Sequence, residues 1–164
     1  YWASQAKEPT LHYEHTELGY NYRMSNVLAA IGVGQLSVLE ERVNRRREIF
    51  EIYKEELSNF KEISFLEEAK GFYSNRWLTT ILIGDLSITP EKLIEVLAKE
   101  NIESRPIWKP MHLQPLYKGA DYIIQDNNDV SAKLFNEGLC LPSGSSLLDE
   151  EQDKIIDIIL SLVK

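Results

Sequence analysis

A chain of 164 residues with 43% hydrophobic and 27% charged composition is long enough for one core of its own and short for two. Its formal net charge of -8, with the one basic run Arg45-Arg46-Arg47 hemmed in by Glu40, Glu41, Glu48 and Glu51, argues against a nucleic-acid surface. The single Cys140 forms no intrachain disulfide, no stretch approaches the roughly 20 apolar residues that cross a bilayer, and a reducing, cytoplasmic home is expected.

Tyr1-Trp2-Ala3-Ser4-Gln5-Ala6-Lys7 reads like the interior of a longer protein, and the chain is expected to be a fragment. Residues 1–24 are rich in Tyr, His and Glu and hold neither strand nor helix period, which predicts an ordered loop. Ser25 then offers an N-cap. Leu28, Leu36, Leu39, Val43, Phe50, Tyr53 and Leu57 recur in steps of mostly three and four, predicting one long helix over 25–58 within a domain of residues 25–164. Its small-residue start (Ala29, Ala30, Gly32, Gly34) suits close packing, whereas the pairs Glu41–Arg45 and Arg47–Glu51 suit a wet face.

Trp77 to Ile83 is β-branched and aromatic and predicts a strand ended by Gly84-Asp85. Thr89-Pro90 opens a helix bearing Leu93, Ile94 and Leu97. A strand is expected over Ile102 to Pro106, then an irregular stretch in which Pro106, Pro110 and Pro115 forbid a long regular element. Asp129 caps a further helix, Leu139-Cys140-Leu141 is a short strand, and Asp149 caps a last helix bearing Ile155, Ile158, Ile159 and Leu162. The alternation predicts an α/β (α+β) two-layer fold: a small sheet packed by helices and led by the long one.

Two segments carry candidate chemistry. Asn21 and Arg23 stand just ahead of a helix N-terminus, where free amides, the helix dipole and a guanidinium favour a phosphate; the plainer reading pairs Arg23 with Glu14 or Glu17. Arg105 to His112 presents cationic or titratable side chains and the Trp108 indole on a proline-stiffened loop suited to an anionic ligand; the plainer reading folds Trp108 into the core. The histidines lack metal-ligand spacing, and no metal is expected.

GYNYRMSNVLAAIGVGQL (Gly19 to Leu36), followed by LEERVNRRREIFEIY, resembles the hallmark of the DegT/StrS sugar aminotransferase family. SNRWLT (Ser74 to Thr79), ESRPIWKPMHLQPLY (Glu103 to Tyr117) and GLCLPSG (Gly138 to Gly144) follow in the expected order and look like the UDP-bacillosamine branch. The resemblance implies the C-terminal small domain of a fold-type I aminotransferase, with residues 1–24 an ordered loop from its missing large domain. Such an enzyme holds pyridoxal 5'-phosphate on a lysine and carries an amino group from L-glutamate to a UDP-linked 4-keto-6-deoxy sugar, in amino-sugar biosynthesis.

Family members pair as homodimers with shared active sites. None of the lysines here stands in the family's Ser-rich motif, so the catalytic lysine is expected upstream, this chain supplies no catalytic residue, and alone it is expected to be inactive. By resemblance, Asn21 reaches the cofactor phosphate of the neighbouring subunit and Arg23 helps hold anionic groups, while Tyr20, Trp108, Lys109 and His112 line the nucleotide-sugar cleft. Two alternatives stay open: a non-catalytic binding or assembly module on this scaffold, and a sugar dehydratase of the same family.

Overall fold

Ser25 ends an extended segment and starts a helix: its backbone is extended (φ -71°, ψ 154°) and its hydroxyl accepts the Leu28 amide at 3.3 Å. The computed structural model describes residues 1–84, 88–124 and 126–163. The chain divides into two units, Tyr1–Glu40 and Glu41–Lys164, each taken by itself below. Asp85, expected at a strand end, and Lys164, the last residue, lie outside the described residues.

In the first unit, residues 1–24 form a loop tied together by its own hydrogen bonds. Ser4 and Asn21 make an antiparallel bridge, and around it the amides of Gln5, Tyr20 and Tyr22 donate to the carbonyls of Tyr20, Trp2 and Ala3 at 2.8–3.0 Å. Gly19 is required at this crossing, because a Cβ there would sit 2.2 Å from the Gln5 carbonyl carbon. The Glu8 carboxylate accepts the hydroxyls of both Tyr1 and Thr16 and closes the loop at its other end.

The single helix expected over 25–58 is instead two, α1 (Asn26–Leu36) and α2 (Leu39–Leu57). The Ser37 hydroxyl donates to the Gly34 carbonyl at 2.8 Å, and the Val38 amide reaches back only three residues, to Gln35. A side chain competing for the ladder and a tightened turn interrupt a pattern that the apolar spacing alone carries through. In the chain by itself α1 exposes Val27, Leu28, Ile31, Val33 and Leu36, whereas α2 buries Ile49, Phe50, Tyr53 and Leu57.

The second unit is built on four antiparallel strands in the order β1-β2-β4-β3, where β1 is Ile63–Phe65, β2 Thr79–Ile83, β3 Arg105–Pro106 and β4 Gly138–Leu141. Pairing sets Ile81 opposite Leu139 and Ile63 opposite Ile83. The β2 residues alternate buried and half-buried, and on the buried side Thr79, Ile81 and Ile83 share a face. Ile49, Tyr53 and Leu57 of α2, Leu93 and Leu97 of α3 (Pro90–Lys99), and Ile155, Ile156 and Ile159 of α5 (Asp149–Val163) form one core with the strand residues. The opposite face of β4 meets α4 (Val130–Glu137) and Ile107; Gly138 leaves room for them, since a Cβ there would lie 2.2 Å from the Ile107 Cδ1. A small sheet packed by helices is the arrangement expected, with α4 added on the second face.

Strand ends differ from the sequence reading where backbone chemistry intervenes. β3 keeps only two of the five residues expected, and it lies at the edge of the sheet, the place that tolerates a proline with no amide to donate. β1 is too short to announce itself by period. Thr89 and Asp129 cap their helices as expected, accepting the amides of Lys92 and Ala132. Asp149 does not cap α5: it is the first helical residue and accepts Arg45 Nη2 at 2.5 Å, while Glu151 reaches back to the Leu148 amide at 3.0 Å. Nor do Glu41–Arg45 and Arg47–Glu51 pair on a wet face. Arg45 joins Glu48 and Asp149, and Arg47 meets Glu68 at 3.1 Å, the Ser74 carbonyl at 2.6 Å and the ring of Tyr73.

Candidate functional site

Tyr20, Asn21 and Arg23 lie on the extended segment that enters α1. The Tyr20 and Tyr22 rings stack at 5.3 Å and 8°, as residues two apart on an extended chain do. Period 2 then puts Asn21 and Arg23 together on the other side. Neither side chain makes a hydrogen bond or ion pair among the described residues, and both are exposed. The plainer pairing of Arg23 is not what the structure shows: Glu14 faces His12 at 3.3 Å, and Glu17 accepts the Trp2 indole N–H. At the start of α1, Ser25 satisfies the Leu28 amide and the Ala29 amide begins the helical ladder. The Asn26 and Val27 amides at the start of α1 have no hydrogen-bond partner among the described residues, which is the arrangement that favours an anion at a helix N-terminus.

In the second unit, the loop after β3 presents Trp108 and Lys109 to a groove of about 410 Å³. Its walls are Trp77, Leu78, Pro106, Ile107 and Phe135, with Arg105, Lys109 and Cys140 as the polar or ionisable members. Trp108 is 66% exposed, so it is not a core residue. Its ring centroid lies 6.3 Å from that of Trp77, at 36°. The Arg105 guanidinium is occupied by Glu103, with Nε at 2.8 Å and Nη2 at 2.5 Å. Lys109 has no ion-pair partner among the described residues and is the groove's available cation. Burial pushes the Cys140 thiol above its usual pKa, which keeps it protonated and unreactive.

His112 is not among the groove residues. It sits in a short 3-10 turn, Met111–Leu113, where its ring stacks on Tyr122 at 3.7 Å and its Nε2 meets Asp129 Oδ2 at 2.8 Å. Asp129 is thereby more than a cap. The Ala132 amide, the Ser131 hydroxyl, His112 and the Tyr122 hydroxyl all converge on its carboxylate and hold its pKa down at about 2. A second cavity, about 510 Å³, is lined by Glu100, Glu103 and Glu151; its one cation, Lys154, is engaged by Glu100 at 2.9 Å. Its charge is of the wrong sign for a phosphate ligand.

Sequence reasoning missed Trp77 as a groove residue, because it reads there as the first residue of a strand. The strand begins two residues later, at Thr79, and leaves Trp77 on the rim. The signal that was available is Asn75-Arg76, a polar pair breaking the β-branched run just ahead of the indole.

The first unit holds an extended segment leading into a capped helix, and the second an α+β fold with an aromatic and cationic groove. The chain belongs to the DegT/DnrJ/EryC1/StrS aminotransferase family, whose model matches residues 3–160. Family members use pyridoxal 5'-phosphate. The chain is 48% identical over 161 residues to EpsN of Bacillus subtilis (strain 168), a pyridoxal phosphate-dependent aminotransferase by assignment, covering 98% of this chain and 41% of that protein. It is 34% identical over 139 residues to GDP-perosamine synthase of Escherichia coli O157:H7, covering 85% of this chain and 36% of the relative. Among solved structures, the aminotransferase TlmJ of Streptoalloteichus hindustanus superposes with a TM-score of 0.82 at 25% identity, over 98% of this chain and 42% of its own. The chain thus spans about two fifths of the length of the relatives it matches.

Proposed function

We propose that the intact protein carrying this chain is a cytoplasmic, homodimeric aminotransferase that moves the amino group of L-glutamate to C4 of a UDP-linked 4-keto-6-deoxy sugar. The observation that carries this reading is the pair Asn21 and Arg23: exposed, without a side-chain partner among the described residues, and just ahead of the capped start of α1, within the stretch the family model matches. Two polar side chains and two unpaired helix amides fit a phosphate monoester such as that of pyridoxal phosphate. When bound, the cofactor supplies the electron sink for amino transfer.

The residues of this chain then hold and orient. Asn21 and Arg23 grip the cofactor phosphate from the neighbouring subunit, Tyr20 shapes the approach, and Trp108 and Lys109 receive the nucleotide end of the substrate. The Asp129 carboxylate fixes His112 in one orientation at the base of that loop. The exposed apolar residues of α1 support an assembly in which a second copy covers them. This chain by itself is expected not to transaminate.

The test is reconstitution of the intact protein with L-glutamate and a UDP-linked 4-keto-6-deoxy amino sugar, following the amino sugar by mass spectrometry. Arg23→Ala is expected to weaken cofactor retention about 10- to 100-fold, the worth of hydrogen bonds to a charged group. Failure to aminate the UDP sugar while a GDP-linked keto sugar is converted would move the nucleotide assignment toward that of the GDP-perosamine synthase relatives. Cofactor retention untouched by both Asn21→Ala and Arg23→Ala would remove these residues from the phosphate site.

A further inference from the structure

We propose that Trp77 is the stacking platform for the base of a nucleoside diphosphate, held ready by Arg46 and braced by Trp108. The proposal rests on the nucleotide-sugar reading above and adds the residue that meets the base.

Three observations converge on it. The first is that Trp77 is fixed although it is exposed. Its indole is 61% exposed, yet its amide donates to Asn75 Oδ1 at 3.1 Å and its carbonyl accepts Arg46 Nη1 at 2.5 Å. Arg76, next to it, is buried in a left-handed backbone (φ 46°), with its guanidinium 3.6 Å over the Phe50 ring and bonded to the Leu66 carbonyl at 2.8 Å. Arg47 and Glu68 pin the same loop at Ser74. An exposed ring on so constrained a backbone has little freedom left to lose on binding, which makes it a better platform than a mobile one.

The second observation is the spacing of the two indoles. A flat ligand sandwiched between parallel rings needs about 3.5 Å on either side, roughly 7 Å in all. Trp77 and Trp108 are 6.3 Å apart and tilted by 36°, so no third ring fits between them. They brace one another and offer an outer face. A base laid on that face meets one indole, and this kind of contact tolerates any base because each has a π face.

The third is charge. Lys109 follows Trp108 directly, lines the same groove and has no ion-pair partner among the described residues. A diphosphate attached to the stacked base meets it as a point charge. Arg105, engaged by Glu103, is left out of the assignment.

The experiment uses the intact protein and two probes that lack the sugar, UDP and GDP, with binding measured calorimetrically for wild type, Trp77→Ala and Trp77→Phe. Both nucleotides are expected to bind wild type and to lose about 5- to 100-fold in affinity in Trp77→Ala, with most of it restored in Trp77→Phe, which keeps an aromatic face. In turnover, KM for the nucleotide sugar is expected to rise by the same factor while kcat and the KM for glutamate stay within about twofold. UDP and GDP binding unchanged in Trp77→Ala overturns the proposal, and if KM for the nucleotide sugar rises all the same, the indole reads the sugar. Absence of UDP and GDP binding to wild type overturns it as well. Trp77-dependent binding of both nucleotides by a protein that aminates no nucleotide sugar supports the platform and sinks only the transaminase reading. Unchanged unfolding temperature of Trp77→Ala shows that the losses are not misfolding.

Discussion

Replacing Gln152 with Met is expected to leave the second unit as stable or to stabilise it, although Gln152 is fully buried and hydrogen-bonded. Its Nε2 donates to the Ile49 carbonyl at 2.8 Å, whereas its Oε1 is buried without a partner among the described residues. The Ile49 carbonyl sits inside α2, where the amide four residues on already serves it. Losing the Gln152 amide therefore costs one extra hydrogen bond, about 1 kcal/mol, and orphans nothing. Removing the partnerless oxygen returns about 1–3 kcal/mol, and Met nearly conserves volume and helix propensity. The sum runs from about 0 to +2 kcal/mol, a Tm rise of up to roughly 8 °C for a chain of this size. Thermal unfolding followed by circular dichroism measures it. Gln152→Glu serves as the opposite control, because it buries a charge and is expected to lower Tm steeply. A Met variant destabilised by more than about 1 kcal/mol refutes the reasoning and shows that Oε1 is satisfied in solution.

Asp129 and Glu68 are both held near a pKa of about 2, below their usual 3.8 and 4.5, the first mainly by the Ala132 amide and the second mainly by Arg47. Folded values below unfolded ones mean stability that is whole above about pH 4.5 and drains as pH falls toward 2; Tm measured across that window should fall less steeply in Asp129→Asn. Gly19→Ala drives a methyl into the Gln5 backbone, so the Ser4–Asn21 bridge should open, with faster hydrogen exchange at the Gln5, Tyr20 and Tyr22 amides and unchanged exchange in the sheet.

Much of this protein was legible in order along the chain, because caps and apolar periods are local. Thr89 and Asp129 announce their helices with a side-chain oxygen three residues ahead of the amide it accepts. The family hallmark, Gly19 to Leu36, likewise needs no tertiary information, since it is a string of residue types, and Asn21 and Arg23 were singled out from it before any partner was known to be absent.

What the tertiary structure decided is where long side chains end. Arg45 and Arg47 have equally good partners on their own helix by spacing, but a guanidinium reaches far enough for Asp149 and Glu68 to compete, and the fold brings those close. Ser37 and Val38 break the helix through a hydroxyl bond that spacing does not register. His112 was counted by type with Trp108 and Lys109, and the fold turns it to Asp129 and Tyr122 instead. Trp77 came to the rim because pairing of β2 with β4 starts at Thr79 opposite Leu141, and only the register between two strands distant in sequence could set that start. Local chemistry thus wrote the elements and the segment proposed to meet a phosphate into the sequence, while contacts between distant residues, which no local pattern encodes, chose the groove and the residues that line it.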